Sequence, residues 1–197
     1  MAHAHSEGTF EDSPFVSVGR AYAGFGSRAT PSHLAPKLTG IAQRLTDLGY
    51  TLRSGCVAGA DTYFERGAGP HADLFVPSAT ARSRTSAGAR LIFPSGGILD
   101  RCLLIASNVH PNFAACDEYA RLLLARDMCL IWGELLNSPV AFVVIWSPPE
   151  RDGSVVGGTA IAWEVAKADL IPRYNLAVAN DEARFFEMLD LVESERN

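Results

Sequence analysis

The seven residues Tyr22-Ala-Gly-Phe-Gly-Ser-Arg28 constrain the fold of this chain more than any other stretch. An apolar, strand-like lead-in precedes them, Phe15-Val-Ser-Val18 and then Ala21-Tyr22. Thr30-Pro31 follows, a capping residue with proline at the first helical position. The order is therefore strand, glycine loop, helix. Such a junction gathers free backbone N–H groups at a helix start, where those donors and the helix dipole stabilise a phosphate or another anion. Gly24 and Gly26 let the backbone come close to a ligand, Ser27 adds a hydroxyl, and Arg28 adds a planar, permanent charge. Taken alone, the loop fits a plain βα turn with a solvated arginine equally well.

Downstream, Leu34, Leu38, Ile41, Leu45 and Leu48 recur at helical spacing until Gly49 stops the helix. Tyr50-Thr-Leu-Arg53 is a second strand, which completes a β-α-β unit with a parallel crossover. It runs into a second glycine loop, Ser54-Gly-Cys-Val-Ala-Gly-Ala-Asp61, before helical residues from Thr62 to about Gly67. Ser54, Gly55, Gly59 and Asp61 are candidate ligand residues there. Asp61 fits a helix cap, an acceptor for a ribose hydroxyl, or a partner for Arg28. The segment Gly69–Gly88, rich in Pro, Ser, Thr, Ala and Arg, reads as a loop or insertion, and Arg82, Arg84 and Arg90 make it locally basic. Leu91-Ile-Phe-Pro94 is a third short strand closed by Ser95-Gly-Gly97, and Pro111 marks a turn before a long helix.

That helix, carrying Tyr119, Leu122, Leu123, Met128, Leu130 and Ile131, is apolar around much of its circumference. Arg126 is the exception, a permanent charge that requires an anionic partner, either a salt bridge or a ligand phosphate. Ala141-Phe-Val-Val-Ile-Trp146 is a continuous apolar run, the pattern of a central parallel strand. Val156-Gly-Gly-Thr159 then forms a third anion-friendly helix start, with Thr159 as the cap and Gly157, Gly158 and Thr159 as candidate phosphate contacts. A last strand centres on Asn175–Val178, and Asn180-Asp181 opens a closing helix. Arg28 and Arg126 are expected to reach the same pocket, because both are obligate cations near anion-binding helix starts.

A length of 197 residues, with 48% apolar and 20% charged residues, fits one soluble domain. Residues 1–13 are expected to be a flexible tail and residues 14–197 a single domain. No apolar run reaches transmembrane length, and Met1-Ala-His-Ala-His-Ser lacks the regions of a signal peptide, so the expected compartment is a cytoplasm. Cys56, Cys102, Cys116 and Cys129 show no CxxC spacing, which favours free thiols over disulfides or zinc. His3 and His5 do not make a metal site, and no metal is expected. A net charge of −5 argues against nucleic-acid binding through bulk charge but leaves room for a local arginine-lined groove.

In order along the chain, AGFGSR, SGCVAGAD, VHP, LLLARD, the apolar strand, VGGTAIAWEVAKA and IPRYNLAV resemble the SLOG superfamily. That superfamily joins the Smf/DprA DNA-processing proteins to LOG-type nucleotide hydrolases, and the chain is most similar to short DprA-like proteins of bacteriophages and prophages. The resemblance covers roughly Tyr22 to Val178. It implies a Rossmann-like three-layer α/β sandwich with a mainly parallel sheet, a nucleotide as ligand with no other cofactor, and a homodimer. It carries ligand roles onto Gly24, Gly26, Ser27, Arg28, Ser54, Gly55, Gly59, Asp61, Gly157, Gly158 and Thr159. LOG enzymes use an arginine and a PGGxGTxxE loop to split a nucleotide, and Arg126 lies where that arginine is expected. The glutamate position is Ala162 instead, while Glu164 lies two residues further on and so about 200° around a helix.

Three readings result. The first is a nucleotide-binding protein with its glycine loops converging on phosphate and ribose. The second is a DprA-like mediator that binds single-stranded DNA. The third is a phosphoribohydrolase, in which Arg126 and Asp61 would be the catalytic pair. The chain's departure from the LOG glutamate puts the binding reading ahead of catalysis.

Overall fold

Tyr22, Leu52, Leu74 and Val144 pack into one apolar cluster, while Ala21, Ala23, Phe25, Phe75, Val143 and Ile145 pack into another. Successive strand residues therefore serve opposite faces of a sheet that is covered on both sides. The computed structural model describes residues 20–81 and 88–196. The lead-in Phe15–Val18, His3, His5, the expected tail, Arg82 and Arg84 lie outside them.

Six strands form one sheet in the order β4-β3-β2-β1-β5-β6. They are β1 (Ala21–Gly26), β2 (Thr51–Ser54), β3 (Ala72–Phe75), β4 (Arg90–Ile92), β5 (Val143–Trp146) and β6 (Arg173–Asn175). Every pairing is parallel, beginning with Ala21 against Thr51 and Ala23 against Val143. Helices α1 (Ala35–Asp47), α2 (Ala60–Ala68) and α6 (Ala179–Ser194) supply Leu38, Ile41, Leu45, Phe64, Phe185 and Leu189 to the first cluster. Helices α3 (Gly96–Val109), α4 (Glu118–Trp132) and α5 (Ala160–Ala168) supply Cys102, Ala106, Met128, Ile131, Ile161 and Val165 to the second. The architecture is a Rossmann-like three-layer α/β sandwich.

Local chemistry accounts for most boundaries. The stripe Leu38, Ile41, Ala42 and Leu45 buries one side of α1, and Gly49 follows it at φ +85°. Asp117 caps α4 by accepting from the Ala120 N–H at 2.7 Å. No helix among the described residues is long and apolar enough to cross a membrane.

Several sequence expectations are corrected. The Gly69–Gly88 segment is not simply a loop, because β3 lies inside it between Pro70 and Pro77. Residues 96–109 form α3, where no helix was expected. Thr30-Pro31 does not start α1. Thr30 Oγ1 donates to the Ser27 carbonyl at 2.6 Å, a 3₁₀ turn follows Pro31, and Pro36 sits in the first turn of α1 instead. Strand β6 ends at Asn175, earlier than the sequence pattern placed it.

Candidate functional site

Strand order reverses between β1 and β5, the position where the carboxyl ends of an open parallel sheet diverge and leave a crevice. A cavity of about 530 Å³ opens there. It is bordered by Gly26, Ser27 and Arg28 after β1, by Ser147 and Pro148 after β5, by Gly157, Gly158 and Thr159 before α5, and by the pocket side of α4. Asp61 and Arg126 line it as well, so the two arginines expected to share a pocket do share one.

The first glycine loop does not offer the open cradle of N–H groups its sequence suggests. Gly26 N–H donates to Asp61 Oδ1 at 3.0 Å, Ser27 N–H to the Trp146 carbonyl at 2.9 Å, and Ala29 N–H to Ser27 Oγ at 3.1 Å. These bonds make the loop a rigid wall. The second loop lies beneath it, with Ala60 N–H bonded to the Ser27 carbonyl at 3.3 Å. Gly59 permits that approach: its φ is +91°, and a Cβ there would stand 2.2 Å from the Ser27 carbonyl oxygen. Gly24, Ser54, Gly55 and Gly59 do not border the cavity. A Cβ on Gly24 would meet Leu52 Cδ1 at 2.7 Å, so that glycine serves packing within the first core cluster.

Asp61 is not a helix cap. It sits inside the first turn of α2, and its carboxylate crosses to the two loops, accepting from Gly26 N–H through Oδ1 and from Gly55 N–H at 3.1 Å through Oδ2. The cation beside it is Arg126, not Arg28. Burial pushes the Asp61 carboxyl up to about 6, against the opposing pull of Arg126 and the backbone donors.

Arg126 is buried, and its Nε lies 3.4 Å from Asp127 Oδ1, an ion pair outside hydrogen-bond geometry. Its guanidinium occupies the space where Gly55 has no side chain, since a Cβ there would fall 1.7 Å from Nη1. Asp127 is also buried, and desolvation lifts its carboxyl to about 7, with the Asp61 charge adding to the rise and Arg126 opposing it. The anionic partner that Arg126 requires is thus supplied from within the chain.

The third turn has a different character. Gly157, Gly158 and Thr159 form a 3₁₀ turn leading into α5, and Thr159 makes no side-chain cap bond. Gly157 and Gly158 open that turn, so their N–H groups have no acceptor within it. Nothing lies within 4 Å of a Cβ built on either glycine, and Gly157 has a φ of +72°. Glu164, on α5, stands 3.6 Å from Lys167 on the exposed side of that helix, while Ala162 is buried in the core.

No family model and no curated protein matches the chain. Among solved structures, DNA processing protein A from Helicobacter pylori matches with a TM-score of 0.47 and 15% identity, over 83% of this chain and 68% of that one. The structural study of that protein concerns how it binds single-stranded DNA.

Three features of the site escaped sequence reasoning. Asp127 follows Arg126 directly, and its charge reads as part of a solvated helix face. Asn175 is buried at the end of β6, where its Nδ2 donates to the Ser147 carbonyl at 2.7 Å and its Oδ1 accepts from Ser147 N–H at 3.1 Å. That two-point clamp holds the carboxyl end of β5 against the cavity. His110 and Cys116, in the connection from α3 to α4, border the cavity mouth with Sγ 4.0 Å from Nδ1. The VHP motif marked the neighbourhood, but only topology brings it across from the glycine turns. Among the described residues, no group of three or more His, Cys, Asp or Glu side chains is arranged to hold a metal. None of the four cysteines forms a disulfide, and Cys102 and Cys129 are buried with their sulfurs 3.7 Å apart.

Proposed function

We propose that the protein binds a nucleotide or nucleotide derivative in the cavity at the carboxyl ends of β1 and β5. The observation that carries this reading is the meeting of two glycine turns, Gly26–Arg28 and Gly157–Thr159, with the charged floor Asp61-Arg126-Asp127 in one cavity. A volume of about 530 Å³ falls within the usual range for small-molecule sites. The phosphate lies at the rim, where the open N–H groups of Gly157 and Gly158 and the exposed Arg28 provide donors and charge. The ordered motifs support the narrower assignment, a DprA-like protein of the SLOG type, encoded by a phage or prophage and acting as a homodimer.

Binding rather than hydrolysis is the preferred activity. The position where LOG enzymes carry their glutamate is Ala162, buried in the core, and Asp61 already holds two backbone N–H groups. Native mass spectrometry of protein purified from cells tests the proposal. The expected result is an added mass equal to an intact nucleotide, lost when Arg28 is replaced by alanine. Free protein under all conditions, with no affinity for nucleoside monophosphates, would contradict it.

A further inference from the structure

The α4 residues that border the cavity are Ala120, Leu123, Leu124, Arg126, Asp127 and Leu130. Asp127 stands in the middle of the pocket-facing stripe, with Leu123, Leu124 and Leu130 at helical spacing from it. Its side chain is 7% exposed, and that of Arg126 is 6% exposed. Buried charge of this kind is costly unless paired. The pairing here is uneven, because one guanidinium faces two carboxylates, Asp61 and Asp127. Asp61 has both oxygens engaged by backbone donors, whereas Asp127, among the described residues, has only the long contact to Arg126 Nε. Arg126 Nε in turn has no hydrogen-bond acceptor although it is buried at the cavity floor. The remaining charged and titratable groups around the cavity, Arg28, His110, Cys116 and Glu150, come from its loops.

We infer that Asp127 is the specificity-determining residue of this site, accepting hydrogen bonds from the ribose hydroxyls of a ribonucleotide, with Asp61 and Arg126 as the fixed frame behind it. The inference rests on the nucleotide-binding reading and adds an orientation and a sugar preference to it. A floor whose cation is already matched by two carboxylates repels a phosphate dianion and attracts hydroxyl donors. The phosphate therefore points outward to Arg28 and the Gly157–Gly158 turn, and the sugar points inward. A 2′-deoxyribose leaves the buried Asp127 acceptor without a donor, and an unmatched buried polar group is costly.

Isothermal titration of the wild-type protein with the four ribonucleoside 5′-monophosphates and their 2′-deoxy counterparts tests this. The expected result is that the ribonucleotide which binds best does so roughly tenfold or more tightly than its deoxy form. In Asp127→Asn that ratio should fall to about threefold or less, with the deoxy affinity little changed. Equal affinities for the two sugars in the wild-type protein would overturn this inference and leave nucleotide binding standing. Absence of binding by every monophosphate would remove both. A ratio unchanged in Asp127→Asn would also overturn the inference, and equal wild-type affinities do so even if that variant fails to fold.

Discussion

Gly55 has no side chain because Arg126 occupies the space that one would fill. Replacing it with alanine puts a Cβ 1.7 Å from Nη1 and forces the guanidinium away from its two carboxylates. The expected cost is about 1–3 kcal/mol in urea unfolding, the range for overpacking a fitted interior. An unfolding midpoint equal to wild type would show that the guanidinium is free to move. The carboxylates make a separate prediction. Asp61 and Asp127 titrate near 6 and 7, above their ordinary values, because burial disfavours their charged forms. The folded state therefore holds protons that the unfolded state releases. Their contribution to stability is complete below about pH 4 and is lost as pH rises through 6 to 7. Thermal melts between pH 5 and 8 should show stability falling with pH, and Asp127→Asn should flatten that fall. A variant profile parallel to wild type would place the titration elsewhere. Arg126 was legible from sequence because an arginine amid leucines demands an explanation. Asp127 was not, because a carboxylate beside an arginine on a helix usually signifies two solvated side chains.

At the scale of elements, the site depends on how well the end of β5 is held. Asn175 does this by pairing with both backbone groups of Ser147, and its own N–H donates to Asp181 Oδ2 at 3.2 Å. Replacing Asn175 with alanine leaves buried backbone groups of Ser147 unsatisfied, and about 1–3 kcal/mol of stability should be lost by chemical denaturation. A loss below about 0.5 kcal/mol would mean that this strand end does not need the clamp. The strands with the strongest patterns, β1 and β5, were readable because an apolar run and a glycine loop bracket each cavity-facing end. Strand β3 was hidden because its four residues sit between two prolines in a segment dominated by Ser, Thr and Ala. Helix α3 was hidden because Gly96-Gly97 opens it, and glycine pairs ordinarily signal a loop. The first glycine loop was recognised as a strand-to-helix junction, but its hydrogen bonding was not. Asp61 takes the Gly26 N–H from 35 residues away, a contact that only the assembled sheet creates.

For the whole molecule, the parallel sheet and its reversal between β1 and β5 put a crevice where two of the chain's glycine turns converge. The alternative reading is single-stranded DNA binding, and salt dependence distinguishes the two. Arg90, from the locally basic segment, is committed to Asp73 at 2.9 Å and Glu134 at 3.0 Å. With a net charge of −5, any oligonucleotide binding should be weak, and neutralising only two or three phosphates of a single strand gives a log–log salt slope of roughly −1.4 to −2. A steep slope with nanomolar affinity at physiological salt would put the DNA-binding reading first. The central claim concerns where a nucleotide sits, and amide NMR reports that directly. Titrating the labelled protein with the best-binding ribonucleoside monophosphate should shift the amides of Ser27, Arg28, Asp127, Ser147, Gly157 and Gly158 together, while those of α1 and α6 stay in place. Shifts confined to the β4 edge, or absent at saturating nucleotide, would contradict the account.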